Sequence, residues 1–558
     1  MPDFLIIGAG AAGCVLANRL SADPGTSVTL VEAGPDHAPG AEPFAVADSY
    51  YRAVYHDELF WPHIAARVRD GAAATQAYMR AKLVGGGSSV NAMMAVRGLP
   101  DDFAEWTAMG VAGWAWDDVL PFFMRLEADR DFAGPLHGAD GPIPIRRHRR
   151  EDWPPVVAAA ARALEGRGFG FVDDLNAPPA DGFARVPLNN TPDRRVSAAM
   201  AYLSAAVRRR PNLVLRAGVT AERLAVAGGR ATGAMVRGPD GAAETIAARQ
   251  VIVSAGALGS PMLLLRSGIG PAAQLRALGI PVVADLAGVG ENLHDHPSAG
   301  VALTVRRGAM QDAAMRPAAN LAVRLSSRLA GAPAHDLYIP VYNKTTWHAL
   351  GRRIGLILVV LYKPFSRGRL RLASPDPHAP PDVVLNALAD PRDMARLKVG
   401  YRLAMAVARD PALAAVTHGA FPASLTDRTR GLNVRSARNG ALAALAAPLI
   451  DVPAARRALV DKVLSDGTRL DDLDDDAALE AWLYANARSF LHACGSCRMG
   501  AADDALAVLD SECRVRGVAG LRVVDASVMP AITRASLHIP TLMVAERAAA
   551  LILRAGRA

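Results

Sequence analysis

Residues 4–32 constrain the fold more than any other stretch of the chain. Phe4-Leu5-Ile6-Ile7 is a short apolar run of β character, stopped by glycine before a helix could form. Gly8-Ala9-Gly10-Ala11-Ala12-Gly13 follows, then 14–20 with helical spacing, then a second strand at 27–31 closed by Glu32. Strand, G-x-G-x-x-G turn, helix, strand and acid make one βαβ unit, which calls for a parallel sheet and a dinucleotide at its edge. Gly8 allows the tight turn, Gly10 lets backbone N–H groups approach a pyrophosphate, and Gly13 lets helix and strand pack closely. Glu32 lies about 20 residues on, where a carboxylate bonds a ribose 2′-OH and repels a 2′-phosphate. The unit alone does not separate NAD from FAD.

A second glycine pattern, Gly268-Ile269-Gly270-Pro271-Ala272-Ala273, follows the helix-like Leu263-Leu264-Leu265 rather than a strand, and no acid closes a later strand. It reads as a helix-ending turn. With one nucleotide site, that site has to hold the redox group itself, which favours a flavin. The loop Gly85-Gly86-Gly87-Ser88-Ser89-Val90-Asn91 is short and apolar-flanked, suited to backbone contact with a flat ligand rather than to a linker. A helix pattern at 197–207 precedes a strand at 212–215, and further buried strands run at 250–256, ending on small residues, and at 520–525. The nucleotide sheet is therefore assembled from three separated parts. Residues 300–485, with strand-like pieces at 354–361 and 368–372 among Ala-rich helices, make a second domain.

The 558 residues suit about two to four domains. The 62 basic and 54 acidic side chains leave a net charge of +8 that is scattered. The densest basic run, Arg146-Arg147-His148-Arg149-Arg150, has no interleaved aromatics, so it reads as a solvated loop rather than a nucleic-acid patch. No uninterrupted apolar stretch of about 18 residues exists to span a membrane. The first ten residues run straight into the strand, without the pattern of a signal peptide. Four cysteines are too few for a disulfide framework, and a cytoplasmic location is expected. The acids at 471–476 precede a helix pattern at 477–487 and read as helix capping rather than a cation loop.

His492-Ala493-Cys494-Gly495-Ser496-Cys497 carries one C-x-x-C without the further ligands a zinc site needs, so no metal is expected and the thiols read as packed. His538 stands just before Pro540-Thr541, which reads as the opening of a helix whose N-terminus presents a positive field. The two histidines flank the strand at 520–525 that returns to the nucleotide.

At this point the chain resembles the glucose–methanol–choline family of flavoprotein oxidoreductases over its full length. Four spaced blocks carry the likeness: 8–13 with Glu32; 81–91; 256–270; and 492–500 with 524–543. The phrases at 138–145 and 288–297 look familial too, which removes the temptation to read His294, Asp295 and His296 as metal ligands. The resemblance implies an α/β fold in which a Rossmann-like FAD-binding domain (1–150, 195–300 and 486–558) is interleaved with an α+β substrate domain built on an antiparallel sheet (151–194 and 301–485).

It also implies the cofactor contacts. Gly8, Gly10, Ala11, Ala12 and Gly13, with Glu32 and Ala33, would hold the adenosine half, and Val219 would lie near the adenine. Leu83, Gly86, Gly87 and Ser88, then Asn91, Ala92 and Met93, would line the pyrophosphate and isoalloxazine. Ala255 and Gly256 close the same edge. Asp525 and Ala526 would face the ribityl chain, and His538, Pro540 and Thr541 the flavin N1 and C2=O, where charge accumulates on reduction. Relatives can bond FAD covalently to a histidine at the position of Val90; valine cannot, so a non-covalent flavin is expected.

The implied reaction is oxidation of a primary alcohol to the aldehyde, with hydride transfer to flavin N5. The family comparison assigns His492 as the base, and an imidazole of pKa about 6.5 suits that task. His538 would hydrogen-bond the alcohol oxygen. Phrases such as 96–100 and 390–393 fit the bacterial branch acting on aromatic or heteroaromatic alcohols such as 5-hydroxymethylfurfural. O2 giving H2O2 is the expected acceptor. A quinone-linked dehydrogenase of the choline type, and a hydroxynitrile lyase-like use without redox chemistry, stay open. Arg534, unexpected so near the site, is either an anchor for an anionic or carbonyl group of the substrate or an ordinary surface or loop arginine.

Overall fold

The computed structural model describes residues 1–71, 75–424 and 426–556. Strands Leu521–Val523, Gln250–Val253, Phe4–Ile7, Val28–Glu32 and Leu213–Ala217 lie side by side in that order, all parallel. Every residue of Phe4–Ile7 and Val28–Glu32 is buried, as a sheet covered on both faces requires. The chain order reverses between Phe4–Ile7 and Gln250–Val253, and helices Ala11–Leu20 and Gly256–Arg266 start just past those two strands. Such a reversal opens a crevice at the carboxyl ends of the strands. Helix His538–Ala555 packs on Ala11–Leu20, pinned where Arg19 Nη2 meets the buried Glu546 carboxylate at 2.7 Å. An antiparallel meander, Thr220–Ala227, Arg230–Arg237 and Ala243–Ala247, leaves the sheet after its third strand in chain order.

The second sheet has eight strands. Thr417–Pro422, Pro297–Val305, Ile354–Leu361, Leu337–Tyr342, Ala319–Leu325, Gly182–Arg185 and Phe171–Val172 follow one another, and Arg488–Ser489 pairs beside Pro297–Ser298. It is antiparallel except for the edge pair Phe171–Val172 and Gly182–Arg185. Side chains alternate along a strand. Ile357, Val359 and Leu361 therefore pack with Leu397 and Tyr401 of helix Pro391–Ala408. Ile354, Leu356 and Leu358 turn the other way and wall a cavity between the two sheets.

Several local expectations need correction. The helix pattern at 197–207 is two short helices, Ala198–Tyr202 and Ala205–Arg208, because Ser204 caps the second by accepting the Val207 N–H. The last helix starts at His538, not Pro540. Pro540 is tolerated inside its first turn, where N–H groups have no intrahelical acceptor. The basic run is not a solvated loop throughout: Arg147 is buried, bonded to Asp129 and Asp174 at 2.9 Å each. Against the burial that would lower it, Asp129, Asp174 and Glu127 push His137 up to about 10. Glu127, Asp129 and His137 are the one metal-like cluster among the described residues. Arg97 and Arg147 pair with its carboxylates, so its charge is balanced without an ion. Asp475 accepts the Ala478 N–H at 2.8 Å and so caps helix Asp476–Asn486. No helix among the described residues is long and apolar enough to cross a membrane.

Candidate functional site

The cavity, about 1370 Å³, runs from the carboxyl edge of the parallel sheet to the inner face of the second sheet. At its first end, Glu32 ends a buried strand with its carboxylate held by the Ala9 and Gly34 N–H groups, both at 2.9 Å. Gly13 explains the tight seat of the first helix, since a Cβ there would lie 1.9 Å from the Gly8 carbonyl oxygen. Gly10 is different. Its φ is −69°, open to any residue, and a Cβ would meet nothing nearer than 3.9 Å. Gly87 likewise has nothing within 4 Å of its Cβ position, and both glycines line the cavity. Backbone geometry requires neither glycine; a ligand lying close against the main chain requires both.

That is the fit expected for FAD, and the surrounding polar groups agree. Gly85 N–H donates to Ala9 O at 2.7 Å, docking the loop at 85–91 against the first glycine turn. Behind the loop, Arg195 Nη1 donates to Asn91 Oδ1 at 2.7 Å and to Ser88 O at 3.2 Å. Asp525, fully buried and with its carboxyl pushed up by burial, accepts from Gly256 N–H at 2.9 Å and Ser260 Oγ at 2.5 Å. Helix His538–Ala555 points its N-terminus at the same space through His538 and Thr541.

His492 and His538 both line this cavity. His492 is clamped from behind. Its Nδ1 meets His296 Nδ1 at 2.9 Å, and its backbone N–H donates to Asp295 Oδ1 at 2.9 Å. The Asp295 carboxylate also accepts from His296 N–H at 2.7 Å, from Tyr78 OH at 2.5 Å and from Ser489 Oγ. With Nδ1 engaged, Nε2 of His492 is the nitrogen left for chemistry. Burial, then the Arg80 cation, lowers the His492 pKa to about 3, so the ring is neutral and able to accept a proton. Burial, then Arg195, lowers His538 to about 4, and its Nε2 is buried without a partner. An orphaned imidazole nitrogen facing a cavity is a place for a ligand's hydrogen bond.

These shifts predict acid sensitivity. His294, His296, His492 and His538 are all held below their ordinary 6.5 by burial. The unfolded chain then binds protons that the folded chain refuses, so stability is complete above 6.5 and drains as pH falls toward the folded values. The melting temperature of the protein is expected to fall steadily as pH drops from about 6.5 toward about 4, the window between the ordinary and the folded histidine values. A flat or rising profile would contradict neutral burial of these rings.

Most residues expected from the sequence line the cavity: Gly8, Gly10, Ala11 and Ala12; Glu32, Ala33 and Val219; Gly86, Gly87, Ser88, Val90 and Asn91; Ala92 and Met93; Ala255, Gly256, Asp525 and Ala526. Gly13, Leu83 and Pro540 sit behind the wall and support it. Arg534 lies in a loop, but neither at the surface nor at the substrate's side of the cavity. It is buried, bonds Asp102 through N–H at 2.9 Å and Nε at 3.0 Å, and does not reach the cavity. The His296–Asp295 clamp is not legible in the sequence, because a His-Asp-His phrase alone offers no sign that it backs a histidine 196 residues away.

The family profile described as GMC oxidoreductase matches residues 2–298, and a second of the same description matches 364–545. The chain is 41% identical over 566 aligned positions to a 5-(hydroxymethyl)furfural oxidase of Methylovorus sp. (strain MP688), covering 99% of this chain and 98% of that one. It is 33% identical to an oxygen-dependent choline dehydrogenase of Burkholderia pseudomallei (strain 1710b), covering 98% and 93%. Among solved structures, pyridoxine 4-oxidase from Mesorbium loti superposes with a TM-score of 0.83 at 26% identity, covering 99% of each chain.

Proposed function

This chain belongs to the GMC oxidoreductase family, and on that premise we propose that it oxidises a primary aryl or heteroaryl alcohol to the aldehyde with non-covalent FAD. The observation that carries this reading is the neutral, rigidly held His492 in one cavity with the unpartnered Nε2 of His538. When bound, FAD would supply the acceptor for the hydride leaving the carbinol carbon, with dioxygen as the oxidant that is reduced to hydrogen peroxide. His492 Nε2 takes the alcohol proton, and His538 Nε2–H donates a hydrogen bond to the alcohol oxygen. Gly8 to Glu32, with Val219, would hold the adenosine half of FAD, and residues 85–93 with Asp525 would hold the rest. Val90 offers no atom for a covalent bond. The residues at 151–194 and 301–485 shape the alcohol's side of the cavity, where Tyr342, Leu356 and Phe421 suit a flat ring.

The likeness to the furfural-alcohol oxidase supports this substrate class, and the test is turnover. Purified holoenzyme is supplied with hydroxymethylfurfural, benzyl alcohol, pyridoxine and choline in air. Equal amounts of aldehyde and peroxide from the aryl alcohols are expected. Turnover only with an artificial electron acceptor would move the enzyme to the dehydrogenases, and no turnover of any kind would contradict the reading.

A further inference from the structure

The charges lining the cavity are unevenly placed. Among the described lining residues, the only carboxylates are Glu32 and Asp525, both beside the dinucleotide turn and its neighbouring strand end. Near His492 the charged groups that line the cavity are guanidiniums, Arg80 and Arg488, while the Asp295 carboxylate lies behind the wall. Each has a buried Nε without a hydrogen-bond partner. Each is bonded otherwise to neutral carbonyls: Arg80 Nη2 to Leu491 O at 3.0 Å, and Arg488 Nη1 to Ala485 O at 3.1 Å and Ala487 O at 3.2 Å. A half-buried cation left on carbonyls lacks the counter-ion that its desolvation calls for.

The two arginines are not equivalent. Asp295 feels the Arg80 charge and offsets part of it. The charged groups that bear on Arg488 are Arg430 and Arg69, both cations, which add to the unfavourable burial of its charge. Arg488 also lines the same cavity as the base. It precedes His492 by four residues, and the Phe490 ring between them lies 4.7 Å from the His492 ring, edge to face. A flat ring against Phe490 could present a hydroxymethyl group to His492 and an anion toward Arg488.

We propose that the alcohol oxidised by this enzyme carries a carboxylate, and that Arg488 is the residue that selects it. The inference rests on the aryl-alcohol reading above and names its substrate class: hydroxymethyl arenecarboxylates. A guanidinium–carboxylate pair in a partly desolvated site gives charge-assisted, forked hydrogen bonds. The same charge distribution opposes a quaternary ammonium substrate, because among the described lining residues no carboxylate faces this end of the cavity.

The test compares para-(hydroxymethyl)benzoate with para-methylbenzyl alcohol as substrates of the holoenzyme. The expected kcat/KM ratio favours the carboxylate by about 10- to 100-fold, chiefly through KM, and shrinks with added salt. Arg488→Met is expected to collapse that ratio, and Arg488→Lys to keep part of it. Binding of para-methylbenzoate, which cannot react, is read independently from the shift in bound-flavin absorbance, and is expected to weaken in the same order. A ratio near unity, or one that Arg488→Met leaves in place, overturns the proposal while the alcohol oxidase reading stands. If neither alcohol turns over, that reading fails, and Arg488-dependent binding of para-methylbenzoate still reports on the anion site.

Discussion

His492→Gln is expected to lower kcat by about 100- to 10,000-fold, the range that general acid–base catalysis supplies, while FAD content stays at the level of the parent protein. The substitution keeps a polar side chain in the clamp formed by His296 and Asp295 but removes the neutral nitrogen proposed to accept the alcohol proton. The loss falls on kcat and kcat/KM together, because the proton moves in the transition state rather than on binding. His538→Asn is expected to cost less, since an amide can still hydrogen-bond the alcohol oxygen. Stopped-flow reduction of the flavin by benzyl alcohol measures both. Equal rates in parent and His492→Gln would remove His492 from the chemistry.

The second large effect is at Gly10. Its backbone is in an ordinary conformation, and the space beyond its Cβ position is open for 3.9 Å. Gly10→Val is therefore expected to fold with an unchanged far-ultraviolet spectrum and to emerge colourless. Its affinity for FAD should fall by more than about 100-fold, equivalent to about 2.7 kcal/mol. Gly13→Ala should behave otherwise, because the clash 1.9 Å from the Gly8 carbonyl lies between protein atoms and disturbs the apoprotein itself. Flavin fluorescence titration of both variants, with their melting curves, separates the two causes. A Gly10→Val protein that stays yellow would mean that the dinucleotide does not lie against this turn.

What could be read from the sequence was local or periodic. Phe4 to Glu32 announced its strand, turn and helix because every element is contiguous and each glycine has one mechanical task. The strand Ile354–Leu361 showed as an apolar β-branched run, and the acids before Asp476 as a helix cap. The remainder depends on contacts between distant segments. Whether Arg147 and Arg534 are solvated cannot be seen in their neighbours; burial came from Asp129, Asp174 and Asp102, which the fold brings to them. His296 and Asp295 act through strand pairing that sets Pro297–Ser298 beside Arg488–Ser489, and no spacing rule predicts that register. Arg488 went unremarked for the same reason: an arginine without a counter-ion is defined by what the fold leaves out around it.

The most direct measurement of the central claim is anaerobic mixing of FAD-loaded protein with an aryl alcohol, following the visible flavin absorbance. The account predicts full bleaching in a single phase whose rate rises with alcohol concentration to a plateau, with one aldehyde formed per flavin. A fully loaded flavin that stays oxidised with benzyl alcohol, hydroxymethylfurfural and para-(hydroxymethyl)benzoate alike would contradict it.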